Sequence, residues 1–390
     1  MKTAAPTSCS LWQFVLYFLK LGTLGFGGPI ALAGHMHQDL VEQRGWISAQ
    51  DYREGLALAQ LAPGPLAAQL AMYLGWVRDR GLGATLVALA FIGPSFLMVL
   101  VLSEFYVRFG GLPWMQGLFY GIGAAVIAII ARSVLKLVRM TLGRDRLLWT
   151  LFAASGVVTA WTESEIIWVF LLCGLVPMLL RRRQPAPATR ALAFLPAAPG
   201  LATGVGGPLA VGLLWKILAY FAGAGLFVFG SGLAIVPFLY GGVVQQFHWL
   251  TERQFIDAVA VSMITPGPVV ITVAFIGYLV AGLVGATLAA IGVFLPVYLV
   301  VVLAAPHFNR VAKNKQVKAF VDGVTAAATG AISGAAVILG RRSLLDLPTI
   351  LIALATLALL LAPKKIPEPV LILAAGLVGL VLQGVGPAAG

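Results

Sequence analysis

Gln60-Leu61-Ala62-Pro63-Gly64-Pro65-Leu66-Ala67-Ala68-Gln69 decides the fold, because its central tripeptide returns at Pro266-Gly267-Pro268. Each Pro-Gly-Pro sits inside an apolar run long enough to reach across a bilayer. Proline removes a backbone donor and glycine weakens a helix, so the run is broken where lipid offers no hydrogen-bonding partner. Free N–H and C=O groups at that depth must be buried in protein or line a polar cavity. A break of this kind that occurs twice points to a transport site.

Composition supports the membrane setting. Hydrophobic residues make up 60% of the 390 and charged residues 10%, with mean hydropathy +0.97, against roughly 45–50% and about 25% in soluble domains. That excludes a soluble globular chain. The net charge of +12 falls in short clusters between apolar runs, such as Arg181-Arg182-Arg183 and Lys313 to Lys318. Such placement suits juxtamembrane loops in a lipid bilayer beside an anionic leaflet, so no nucleic-acid partner is expected. Cys9 and Cys173 form no CxxC pair, which implies neither a disulfide framework nor a metal site, and no cofactor is expected. The N-terminus, with Lys2, Pro6 and Ser8, lacks a small-residue cleavage site, so the first apolar segment is expected to be retained.

Self-alignment gives a duplication. Pro63 maps on Pro266 with an offset of 266 − 63 = 203, and the same offset takes Phe26 to Phe229, Gly27 to Gly230, Trp46 to Trp249 and Glu54 to Asp257. After a one-residue deletion the offset is 202: Gly83-Ala84-Thr85 falls on Gly285-Ala286-Thr287, Pro94 on Pro296 and Gly121 on Gly323. The expected organisation is an N-terminal membrane repeat (1–183), a Pro/Gly-rich linker (184–208) and a C-terminal membrane repeat (209–390). Apolar segments lie near 11–32, 49–77, 83–107, 113–138, 147–161 and 164–180, then 209–236, 252–281, 283–304, 319–339, 347–362 and 368–386. The need to satisfy backbone groups in lipid makes them helices of an all-α polytopic membrane protein.

Loop charge gives orientation, since cytoplasmic loops carry the Lys/Arg excess. In the first copy 132–146 carries Arg132, Lys136, Arg139, Arg144 and Arg146 against Asp145, net +4; 104–116 has Glu104 and Arg108, net 0; 160–166 has Glu163 and Glu165, net −2. In the second copy the pattern reverses: 306–318 holds Arg310, Lys313, Lys315 and Lys318, net +4, whereas 334–348 has Arg341, Arg342 and Asp346, net +1. Segment 362–368, with Lys364, Lys365 and Glu368, is net +1. Two inverted-topology repeats are therefore expected, with Arg341-Arg342 as a basic pair against the trend. The arms around each break are about a dozen residues, roughly 18 Å of helix, too short to span alone. They form either a re-entrant hairpin, giving about ten spans, or an interrupted crossing, giving about thirteen with the linker. The Pro/Gly content of Leu192 to Gly207 makes a poor helix and favours hairpins.

Pro65 and Pro268 suit the opening turn of the second arms, where a missing N–H costs nothing. The N–H groups after them point into the break, and a helix N-terminus binds anions through such donors and its dipole. Gln60 and Gln69 flank the first break, and Ser262, Thr265 and Thr272 the second. The alternative is a kink that serves packing alone. Gly25-Phe26-Gly27-Gly28-Pro29 aligns with Phe229-Gly230-Ser231-Gly232, either a second unwound point or a close helix contact, which makes Gly27, Gly28 and Ser231 candidates. Lys20 and Arg132 are charge or coupling candidates unless they only snorkel. Glu54 and Asp257, at corresponding positions, are candidates to carry a coupled proton or to pair with Arg53 and Arg253, although solvated helix-end charges are the plainer reading. His35 and His37, with no third ligand, read as interfacial rather than metal-binding, and His35 joins the coupling candidates.

Phe26-Gly27-Gly28-Pro29, His35-Met36, Trp46, Gln60-x-x-Pro63-Gly64-Pro65, Gln69, Tyr73-x-Gly75, Gly83-x-x-Thr85 and Phe91-x-x-Pro94-Ser95-Phe96 together resemble the chromate ion transporter family in its long, two-domain form. The resemblance covers nearly the whole chain and implies chromate export from the cytoplasm, with sulfate as a similar tetrahedral oxyanion. The second copy departs from it at Ser231 and at Met263, which stands where the first has Gln60. The expectation is a multi-pass secondary transporter of the cell (inner) membrane, not an enzyme, working by alternating access and driven by an ion or counter-anion gradient, since no GxxxxGK[ST] loop is present. Its substrate-binding candidates are Gln60, Pro63, Gly64, Pro65, Gln69, Gly27, Gly28, Thr265, Pro266, Gly267, Pro268 and Ser231. A passive anion channel is the alternative, and a homodimer is allowed for.

Overall fold

The computed structural model describes residues 9–26, 28–110, 112–162, 167–180, 209–226, 228, 235–307, 315–362 and 366–385. The linker expected at 184–208 lies outside the described residues, as do Gly27 and Ser231. Among the described residues every regular element is helical. The first half runs α1 (Leu11–Leu24), α2 (Gly28–His37), α3 (Ala49–Leu61), α4 (Leu66–Phe109), α5 (Pro113–Thr141), α6 (Arg146–Thr162) and α7 (Ile167–Leu180). The second runs α8 (Leu209–Leu226), α9 (Ile235–Leu239), α10 (Glu252–Ile264), α11 (Thr272–Ala304), α12 (Lys315–Ser343), α13 (Leu347–Leu361) and α14 (Glu368–Val385).

Local chemistry sets many of these bounds. The Ser48 hydroxyl accepts from the Asp51 N–H to start α3, and Thr251 accepts from Gln254 N–H to start α10. Asp145 and Asp346 open α6 and α13 in the same way, Asp346 accepting from the Thr349 N–H at 2.9 Å. Desolvation works against ionisation of Asp346, yet bonds from Thr349 and Tyr120 outweigh it and hold its carboxyl below the usual carboxylate range. The sequence segment expected at 11–32 is divided: α1 stops at Leu24, and α2 restarts at Gly28. α2 and α9 each pass into a wider i→i+5 turn, closed by Arg44 N–H to Asp39 O at 3.0 Å and Phe247 N–H to Gly242 O at 2.8 Å.

The long helices α4 and α11 are not straight rods. Asp79 and Arg80 leave helical geometry in α4, as do Ala281 and Gly282 in α11. Gly75 then lies against the backbone of Gly83, and Gly277 against Gly285, although eight residues of straight helix would separate each pair by about 12 Å. The chain reverses at both points, and glycine is what lets the two runs touch.

Two features organise the packing. The central core joins α1, α4, α8 and α11, with Phe14, Phe18, Phe91, Phe221 and Phe275 fully buried. Around it the tails are exchanged: α13 and α14 pack on α5, while α6 and α7 pack on α12. Gly121 of α5 meets the backbone of Ala375, and Gly323 of α12 meets that of Cys173. Both pairs tolerate no side chain. α5 is buried all round from Gly121 to Ile130, as expected of a helix at the centre of a bundle. The outer surface is strongly apolar, with Leu89, Leu97, Val101 and Phe105 exposed along α4, far more than a soluble protein presents. By length and composition α4, α5, α12 and Val269–Ala304 each suffice to cross a membrane.

Candidate functional site

The two Pro-Gly-Pro tripeptides form the tips of helical hairpins. Gly55 of α3 packs on the ring of Tyr73 in α4, residues that a straight helix would hold about 27 Å apart. α10 likewise lies against the start of α11. Each tip turns on its glycine: Gly64 has φ +135° and Gly267 φ +100°, a region that side-chain-bearing residues avoid.

The tips meet the opposite half reciprocally. Gly64 N–H donates to Val228 O at 2.6 Å, and Gly267 N–H donates to Gly25 O at 2.9 Å. Donors and acceptors are each 203 positions apart (267 − 64 and 228 − 25). A Cβ on Gly64 would come within 2.7 Å of Val297 and of the Gln69 amide, and one on Gly267 would overlap Ser95 Oγ. Ser95 and Val297 are separated by 202. The contact is self-complementary, as a two-fold interface requires.

Beyond each tip a helix starts without a side-chain cap. Pro65 precedes α4 and Pro268 precedes the tight turn Val269–Ile271 that leads into α11; neither offers a side-chain acceptor. The first N–H groups of a helix have no intrahelical partner, and here they belong to buried Leu66, Ala67 and Ala68. Pro65, Ala67, Gly267, Pro268, Val269, Pro29 and Leu32 line a shared cavity of about 10 Å³, room for roughly one water. The starts of both second arms therefore border one small space between the tips.

The remaining sequence candidates are distributed as follows. Gln69 is fully buried beside the first tip; its amide nitrogen donates to Pro63 O at 2.6 Å and Ala62 O at 3.3 Å, and its Oε1 has no donor. Its donors thus hold the carbonyls that the break exposes. Thr265 donates back to Val261 O at 2.7 Å, and Thr272 to Val269 O at 2.8 Å. Pro266, Gly267 and Pro268 are buried, Pro63 is half-buried and Gln60 is exposed. Gly28 opens α2 at φ +76°. Lys20 and His35 are exposed, away from the tips' interior. Glu54 is half-buried and accepts from Gln50 at 3.1 Å and from Tyr73 at 3.5 Å. Arg132 pairs with Glu368 of α14 at 3.4 Å, a tie between exchanged helices.

Asp257 departs from its reading as a solvated helix-end charge. It is 4% exposed, and its Oδ2 accepts from Tyr106 of the first half at 2.7 Å. The reason is tertiary: Tyr106 and Phe119 close over the face of α10 that helical position alone would leave wet. The uncapped N–H groups of Leu66 to Ala68 were foreshadowed by the proline before them, whereas nothing local marks Tyr106.

Comparison with known proteins identifies the family of the chain. A family model described as "Chromate transporter" matches residues 12–178 and again 215–380. The chain is 59% identical to the "Chromate transport protein" of Cupriavidus metallidurans over 382 residues, covering 97% of this chain and 94% of that protein. It is 53% identical to the "Probable chromate transport protein" of Synechococcus elongatus over 95% of each chain. A "Chromate transport protein" of Pseudomonas aeruginosa is 34% identical over 394 residues, 96% of this chain and 93% of that protein. No solved structure matches the chain.

Proposed function

The chain belongs to the chromate transporter family, and from that premise we propose that it exports chromate from the cytoplasm across the inner membrane by alternating access. It is a multi-pass membrane transporter, not an enzyme. In this reading two inverted repeats, 1–183 and 209–390 joined through 184–208, each send one re-entrant hairpin toward the midplane from opposite sides. Loop charges that reverse between the copies support the inversion. The shared bounds of α3 and α10, 49 to 61 against 252 to 264, support the duplication. So does the family match that begins at 12 and again at 215.

The observation that carries the proposal is the reciprocal bonding of the tips, Gly64 to Val228 and Gly267 to Gly25. It supports a reading in which the uncapped ends after Pro65 and Pro268 converge on a divalent tetrahedral oxyanion, drawn by backbone N–H groups and two helix dipoles. The cavity of about 10 Å³ is too small for four oxygens around a central atom. Substrate binding therefore requires the tips to part, and this closure favours alternating access over an open channel. Parting frees Gly64 and Gly267 N–H to join the anion's donors, and Gln60, Gly27, Gly28 and Ser231 are assigned to the shell around it, with Gln69 and Thr265 bracing the tips behind them. Because backbone donors read charge and shape rather than the central atom, sulfate fits the same site.

Everted membrane vesicles test the proposal. Wild-type vesicles should accumulate chromate, excess sulfate should compete, and Gly64→Ala should remove most of the uptake while the protein remains in the membrane. Full uptake by both Gly64→Ala and Gly267→Ala would sink the site assignment. Flux that ignores every opposing ion gradient would identify a channel instead.

A further inference from the structure

Away from the tips, where α4 meets α5 and α10 begins, lies a second cavity of about 180 Å³. It is lined from the first half by Tyr106 and Gln116, and from the second by Arg253, Gln254 and Asp257. The loop-charge pattern puts 104–116 on the outer side. We propose that Asp257 is the carboxylate through which proton movement is coupled to the transport cycle, with this cavity as its path to the outer aqueous phase. The inference rests on the transport reading above and adds the coupling ion and its residue.

Three observations carry it. First, Asp257 is a buried carboxylate with no ion pair among the described residues; its one bonded partner is the Tyr106 hydroxyl. Charged groups on the surrounding elements are engaged elsewhere: Glu104 with Arg108 on the helix of Tyr106, Glu368 of α14 with Arg132, and Glu252 with Arg342 of α12. Arg253, one turn earlier on α10, reaches Asp257 only through its field and gives an N–H to Gln116 O at 3.3 Å. A buried carboxylate in that setting is neutralised most cheaply by a proton.

Second, the Tyr106–Asp257 bond crosses between the halves, the surface that alternating access must shear. The hydrogen bond from Tyr106 opposes protonation of the carboxylate that burial favours. When the halves move apart it loses that donor and takes a proton from the cavity. Asp257 lies nine residues before Pro266 on the same hairpin, about 14 Å along the helix, so proton occupancy and the position of the tip move together. A proton enters as the anion leaves. Third, the counterpart Glu54 bonds within its own half to Gln50 and Tyr73 and is half-buried, so the device is present in one copy alone.

Proteoliposomes enclosing a fluorescent pH indicator provide the test, with wild type, Asp257→Asn, Asp257→Glu and Tyr106→Phe. In the wild type an opposing pH gradient should accelerate net chromate movement at least tenfold, and chromate addition should shift internal pH. Asp257→Asn should retain chromate–chromate counterflow but lose both responses; Asp257→Glu should recover them. Tyr106→Phe should displace the pH profile of net flux while counterflow persists. Asp257→Asn with an intact gradient response overturns the inference, as does a wild type that moves chromate without protons. Should Asp257→Asn fail to fold, unchanged pH profiles in both Asp257→Glu and Tyr106→Phe overturn it equally. A wild type that moves no chromate defeats the transport reading itself.

Discussion

The two hairpins share their turn and differ in almost everything that surrounds it. After Pro65 the chain enters an α-helix directly through Leu66-Ala67-Ala68-Gln69, residues with high helix propensity. After Pro268 it first makes a tighter turn at Val269–Ile271, and α11 starts at Thr272. Val269-Val270-Ile271-Thr272 is a β-branched run that resists the α start. The first tip is braced by the Gln69 amide, the second by short hydroxyls that bond to their own helices. The acid of the first hairpin stays within its half, and that of the second reaches across. Shared glycines and prolines set the scaffold, and the unshared polar residues set what each copy does with it.

That contrast can be broken most forcefully at the turns. Gly64→Ala and Gly267→Ala should each destabilise by about 2–5 kcal/mol, from left-handed strain plus overpacking, read as lost thermal stability in detergent and lost vesicle uptake. Ser95→Ala should partly rescue Gly267→Ala but not Gly64→Ala, for which Val297→Ala should be the rescuing partner. Identical rescue patterns would erase the distinction between the tips.

A smaller effect separates the braces. Gln69→Leu strands the Pro63 and Ala62 carbonyls and should cost about 1–3 kcal/mol, whereas Thr272→Val removes a local bond and should cost about 0.5–1 kcal/mol, both by thermal unfolding. Asp346→Ala and Asp145→Ala remove equivalent caps and should each cost about 1 kcal/mol. Asp346 is also tied to Tyr120 of the other half. With its carboxyl held low when folded, its contribution is complete above the unfolded value of about 3.9 and fades as pH falls through the folded one. Melting curves against pH should therefore lose part of their acid-range slope in Asp346→Asn. Least of all, Tyr298→Phe removes the 2.7 Å bond to Thr85 at a partly exposed site, a loss of about 0.5 kcal/mol.

Segment bounds were legible wherever charge or glycine punctuates an apolar run. Arg78-Asp79-Arg80 marks the reversal in α4, and Gly282 marks the one in α11. The breaks at Pro63-Gly64-Pro65 and Pro266-Gly267-Pro268 were legible from the residue types alone. What was hidden depends on partners distant in the chain. The small residues of α5 announce a close contact but not that α14 makes it. Glu54 and Asp257 look equivalent in register, and their difference comes from Tyr106, 151 residues from Asp257. Gln69 was visible as a polar flank, but nothing in the sequence separates a donor free for substrate from one already used by the carbonyls of the break.

The exchange of tails sets a timetable for synthesis. Gly121 waits for Ala375, 375 − 121 = 254 residues further on, which a ribosome adding about 5–20 residues per second delivers in roughly 13–50 s. Throughout that interval the Gly121 face of α5 lacks the partner it has in the finished fold. A chain that ends before α14 leaves the Gly121 face of α5 without the helix whose backbone it is shaped to meet.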